Sequence, residues 1–121
     1  KVRVPAETAG NRPRIFELRI YESHNEPTAL KKIEMFNEGG EIAIFRKTGL
    51  NPVFFGETII GSQQPNLTYM LAFEDMADRD KRWQVFRDDP DWRKLSQDPA
   101  YKDTVSNITD IILRPTGYSQ I

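Results

Sequence analysis

The sequence predicts an α+β fold: one four-stranded antiparallel sheet with helices on one of its faces, in the order β-α-β-β-α-β. Three observations carry that expectation. Residues 14–22 alternate apolar and polar with period two, two apolar β-rich runs follow in the middle of the chain, and capped helical patterns separate the strands. The 121 residues make one domain, long enough to bury a core without disulfides or metal.

The first strand is RIFELRIYE at 14–22. Phe16, Leu18 and Ile20 point one way and Glu17, Arg19 and Tyr21 the other, so one face is apolar and the second polar and aromatic. Ser23 and Asn25 are candidate N-caps for the next helix, and Pro27 suits its first turn. Leu30, Ile33 and Phe36 follow at helical spacing, and Gly39-Gly40 ends the helix. The pair Ile42/Phe45 and the terminal Gly49 predict a second short helix over 41–49.

PVFFGETII (52–60) and LTYMLAFE (67–74), joined by the turn-rich GSQQPN, predict a hairpin. Val53, Phe55 and Ile59 alternate with Phe54, Thr58 and Ile60, so both faces of its first strand read as apolar. Asp75 caps a helix through MADRDKRWQVFR, with Asp78 as the acidic partner of a capping box. Asp89-Pro90 starts a further short helix, Asp98-Pro99 repeats the device, and TVSNITDIILR at 104–114 is the last strand. The whole is the ferredoxin-like arrangement. With one sheet face under the helices, the other still needs a cover, and a contiguous apolar face of that kind predicts a homodimer joined sheet against sheet. Residues 1–13, with two prolines and no sustained period, are expected to be an arm or linker, and 14–121 the domain. Because the sequence begins at Lys1 rather than Met, a fragment or a processed chain is expected.

Composition excludes several chemistries. The formal net charge is -1, so no basic field draws in nucleic acid. There are no cysteines, hence no disulfide, thiol nucleophile or cysteine metal site, and the redox compartment stays open. No apolar run approaches a membrane span. A cytoplasmic or an exported protein fits equally.

RDKRWQVFRDDPDWRKL at 79–95 first suggests a basic–aromatic binding patch, but its six basic residues meet four aspartates. It reads better as a capped amphipathic helix and an Asp-Pro restart, with Met76, Arg79, Trp83 and Phe86 on one side. Arg79 on that apolar side should have a carboxylate or carbonyl partner. His24 is the sole histidine, so a site with two histidine ligands is impossible and no metal is expected. No phosphate loop, nucleophile elbow or dinucleotide fingerprint occurs. The Asn66-Leu-Thr and Asn107-Ile-Thr triplets match glycosylation acceptors but fall in strands. An apolar pocket between sheet and helices is expected to be lined by Phe54, Phe55, Tyr69, Phe73, Arg79, Trp83 and Trp92. The only polar set beside it with acid–base capacity is His24 with Tyr21, Tyr69 or Arg19. Cross-strand or cross-dimer pairing is the plainer account of Glu17 and Arg19.

Glu17-Leu18-Arg19-Ile20-Tyr21 resembles the ELRxY opening strand of the NIPSNAP family. Ala77-Asp78-Arg79-Asp80, Arg82-Trp83, Phe86, Asp89-Pro90 and Trp92 resemble that family's second helix and following turn, and residues 33–57 are similar to bacterial members. The resemblance spans about 14–119. It implies a dimeric α/β barrel in which two such sheets face each other, no cofactor, and often a second NIPSNAP-like domain in the same polypeptide, with 1–13 as the linker between them. It implies little chemistry: a small-ligand- or protein-binding module is expected. The alternative, by fold analogy with neighbouring families, is a cofactor-independent monooxygenase or isomerase for aromatic or polyketide-like molecules. Those families also include haem binders, for which His24 would be the one axial nitrogen.

Overall fold

A computed structural model of the chain describes residues 12–121, so the expected arm at 1–13 lies, as far as residue 11, outside the described residues. The elements run β1 (Ile15–Glu22), α1 (Glu26–Phe36), α2 (Glu41–Thr48), β2 (Asn51–Glu57), β3 (Asn66–Phe73), α3 (Met76–Asp88), α4 (Pro90–Ser96), a 3-10 turn (Pro99–Tyr101) and β4 (Asn107–Leu113). The strands pair antiparallel throughout in the order β2-β3-β1-β4. The chain is therefore α+β with the ferredoxin-like arrangement of strands and helices.

Local chemistry sets the boundaries. Of the two candidate caps, Asn25 is the one used. Its side chain accepts from the Thr28 amide while the Thr28 hydroxyl accepts from the Asn25 amide. Ser23 is buried instead and donates to the Thr104 carbonyl. Asp75 caps α3 at the Asp78 amide, as expected, but the Asp78 carboxylate accepts from the amide of Glu74, one residue before the cap. Gly39 is required by close approach: a Cβ there would lie 2.5 Å from the Met35 carbonyl oxygen.

The hairpin departs from strict alternation. A bulge between Pro52 and Phe54 puts two successive residues on one side, because Pro52 has no N–H to give the ladder. Val53 therefore joins Phe16, Met70 and Ala72 rather than Phe55. Strand β2 ends at Glu57, short of the expected Ile60. Ile59 and Ile60 lie in the connection, 84% and 94% exposed.

The two sheet faces are distributed in an informative way. The helices pack on the side carrying Glu17, Arg19 and Tyr21, forming the main core with Phe36, Phe45, Tyr69, Leu71, Phe73, Trp83 and Phe86. The other side carries a smaller cluster that, among the described residues, contains only strand residues with Ile121 against it. One row of cross-strand neighbours there runs Phe54–Met70–Leu18–Ile111, apolar across all four strands. Phe54, Ile111 and Leu113 remain exposed. The strand face that alternation would ordinarily send to water is thus the one under the helices.

A buried charge network at the sheet edge

Strand register builds the candidate functional site. In β1, Glu17, Arg19 and Tyr21 face the helices. On one side they meet Leu71, Tyr69 and Leu67 of β3, and on the other Ile112, Asp110 and Ile108 of β4. From above, α3 lowers Arg79 and Trp83 onto the same spot.

Glu17 is wholly buried, and four donors satisfy its carboxylate. Arg79 donates from Nε (3.2 Å) and Nη2 (2.8 Å), Arg19 from Nη1 (2.8 Å), and Trp83 from Nε1 (2.7 Å). Arg19 Nη1 and Arg79 Nη2 also converge on one oxygen of Asp110, each at 3.2 Å, and Arg79 reaches Asp80 at 2.9 Å. The Arg19 guanidinium lies 4.7 Å from the Trp83 ring and donates to the Tyr21 hydroxyl, which also receives the Tyr69 hydroxyl at 2.9 Å. Arg79 on the apolar side of α3 therefore has the carboxylate partners its position demands.

The two carboxyls are driven apart. Burial alone would raise Glu17, but hydrogen bonds from Arg79, Trp83, Asp110 and Arg19 outweigh it and hold the group at about 2. Burial, then the hydrogen bond to Glu17 and its charge, raise Asp110 to about 6 against the pull of the two arginines. Burial likewise raises both tyrosines, Tyr69 strongly. The arrangement is a permanently ionised carboxylate beside one that exchanges a proton near neutrality, a separation that suits acid–base or ion-binding work.

Of the residues expected to line a pocket, Phe55, Tyr69, Phe73, Trp83 and Trp92 all belong to the helix-side core or pack against it. They fill it ring against ring: Phe55–Tyr69 at 5.7 Å, Phe45–Trp83 at 5.9 Å and Phe86–Trp92 at 4.5 Å. Phe54 does not join them, since it pairs with Met70 on the opposite face. Arg19, Tyr21, Tyr69, Arg79 and Trp83 are brought together, whereas His24 is exposed beyond the end of β1. Sequence reasoning missed Asp110 altogether and took Glu17 as a plain pairing residue. The available signal was an acid in the middle of the apolar run NITDIIL. A separate cleft of about 290 Å³ lies between α1 and the β2–β3 connection, lined by Glu26, Leu30, Glu57 and Ile59 among others. Among the described residues no group of His, Asp or Glu is arranged to hold a metal, and no helix is long and apolar enough to cross a membrane.

Comparison with solved structures shows the class first. A protein of Mesorhizobium loti described as a DABB family protein with a ferredoxin-like fold superposes with a TM-score of 0.54 at 16% identity, covering 88% of this chain and all of that one. A NIPSNAP-like domain protein from Burkholderia xenovorans superposes with a TM-score of 0.77 at 24% identity, covering 88% of both chains. A NIPSNAP family protein from Agrobacterium tumefaciens gives 0.76 at 24% identity, covering 89% of this chain and 98% of its own. A search of curated proteins finds no match. The NIPSNAP family model matches residues 16–120, and the chain belongs to that family.

Proposed function

We propose that this NIPSNAP-family domain acts as a homodimer joined through the open faces of its two sheets, each copy binding a small ligand at the Glu17–Asp110 network. The observation that carries the dimer is the open face itself. A row of apolar side chains crosses all four strands, and Phe54, Ile111 and Leu113 are 37–40% exposed on it. An apolar sheet face of this extent is stable in water only when covered. A second NIPSNAP-like domain of the same polypeptide would cover it equally well. For the ligand, the tightly packed aromatics direct attention to the charged member of the predicted set, Arg79, beside Asp110.

Native mass spectrometry tests the dimer. The expected species is twice the 14.0 kDa chain mass. Ile111→Glu, which sets a charge at the β4 end of the apolar row, should shift it to monomer with an unchanged circular dichroism spectrum. A monomeric wild type overturns the reading.

One observation favours the enzyme alternative: a half-buried carboxyl raised to about 6 is poised to accept a proton at neutral pH. An isomerase or cofactor-independent monooxygenase would use Asp110 as that base, with Arg79 and Arg19 holding the enolate or phenolate oxygen. Deuterium uptake by enolisable aryl ketones in D2O, present with wild type and absent with Asp110→Asn, tests it. No uptake with wild type removes it.

A further inference from the structure

We propose that Arg19 and Arg79 form a cradle for the carboxylate of a small ligand with an apolar body, and that Asp110 is the internal stand-in which such a ligand displaces. Two guanidinium N–H groups, from different elements, converge on a single oxygen position, that of Asp110 Oδ2, at 3.2 Å each. Convergent donors of this kind make a selective site for one carboxylate oxygen. They are held in place without Asp110. Glu17 fixes both at 2.8 Å from beneath, and the Trp83 ring lies against Arg19. A ligand therefore meets a preorganised pair and spends little on ordering it.

The two carboxylates are not equivalent partners. Glu17 is fully buried and takes the shorter contacts from both arginines. Asp110 sits on an edge strand with its side chain 35% exposed and takes only the longer ones. Asp110 is thus the displaceable one. On the same side of β4, two residues away in each direction, are Ile108 and Ile112, 47% and 42% exposed. They flank the position with apolar surface, matched by a ligand whose carboxylate is attached to a hydrocarbon body.

Charge balance makes the exchange proton-linked. Facing Asp110 are Glu17, Arg19 and Tyr21 from β1 and Arg79 with its neighbour Asp80 from α3, with Tyr69 of β3 behind Tyr21. With Asp110 ionised, an entering carboxylate would be the fourth on two guanidiniums, beside Glu17, Asp110 and Asp80. With Asp110 protonated, the number of carboxylates stays at the three the pair already carries, the ligand taking the charge that Asp110 gives up. Binding should therefore take up a proton at Asp110, whose value burial, and then the neighbouring Glu17, already raise to about 6. This inference rests on the ligand-binding reading above and is independent of the dimer.

The test follows the side-chain Nε–Hε signals of Arg19 and Arg79 by ¹⁵N NMR in the full chain. It is titrated with cyclohexanecarboxylate, and separately with the neutral cyclohexanecarboxamide, at pH 5 and pH 7.5. The carboxylate should move both signals saturably. If only the form with protonated Asp110 accepts it, wild type should bind the ionised ligand, its concentration corrected for the ligand's own protonation at pH 5, roughly thirtyfold more weakly at pH 7.5 than at pH 5. Asp110→Asn, which keeps the side chain's shape and removes the competing charge, should bind the ionised ligand equally at both pH values and more tightly than wild type at pH 7.5. Equal binding of the amide overturns the cradle while leaving a small-ligand site standing. Weaker carboxylate binding by Asp110→Asn at pH 7.5 also overturns it. No saturable shift with either compound overturns both the cradle and ligand binding at this network, and leaves the dimer to be judged by its mass.

Discussion

Replacing Glu17 by Gln is the most informative single perturbation of the fold. The substitution keeps volume and shape but removes the charge that two guanidiniums and an indole N–H address. Hydrogen bonds to charged groups contribute about 1.5–3 kcal/mol each, and breaking a fully buried pair from one side costs about 3–5 kcal/mol. The arginine side chains retain 15% and 21% exposure, and Asp110 already touches both, so part of their charge can be met elsewhere. These corrections place the expected loss at the lower end, about 3 kcal/mol. For a domain whose whole stability is about 5–15 kcal/mol this is a large fraction. Urea unfolding at pH 7.5 reads it as a midpoint lowered by more than about 1 M with the slope unchanged. A loss below about 1 kcal/mol would refute the reasoning, because Glu17 would then be a spectator and not the anchor of the network.

The remaining predictions concern pH, a second ion pair, a cap and the assembly. Asp110 binds its proton more tightly folded than unfolded, so its contribution to stability is complete below about pH 4 and is lost as pH rises through about 6. Thermal melts of Asp110→Asn should therefore lack the decline that wild type shows between those values. Glu17 acts with the opposite sign: its contribution is present above about 4.5 and lost as pH falls toward 2, so acid unfolding should begin in that window. Lys32 and Glu41 form an ion pair at 2.9 Å with side chains 6% and 2% exposed. Lys32→Met alone should cost about 3–5 kcal/mol in urea unfolding, whereas Lys32→Met with Glu41→Leu should restore most of it. Asn25→Ala removes the reciprocal cap of α1 and should cost about 1 kcal/mol by the same measurement. Ile111→Glu should halve the native mass without unfolding the chain.

The fold was largely legible because local signals agree with one another. Alternation in β1, Asp-Pro starts at 89 and 98 and the glycine pair at 39–40 all fall where the structure uses them. What alternation does not encode is which face the helices cover. Phe16, Leu18 and Ile20 look like the side of β1 that packs on helices, yet the helices sit over Glu17, Arg19 and Tyr21. That inversion is possible only because Arg79 and Trp83 arrive from α3 to satisfy the carboxylate, a contact between positions 62 and 66 residues apart. The bulge at Val53 was hidden for a similar reason, since a proline marks an irregularity without fixing its register. Arg79 was legible as a cation needing a partner. Asp110 was not, because only strand pairing with β1 brings it beside Arg19.

The central claim is that this network holds two neighbouring carboxyls in different protonation states. Carboxyl ¹³C NMR of Glu17 and Asp110 between pH 2 and pH 8 measures both groups at once. Asp110 should titrate in a step near pH 6 while Glu17 stays ionised down to about pH 2. Two overlapping steps in the ordinary carboxylate range near pH 4 would contradict the account, and with it the proton-linked cradle.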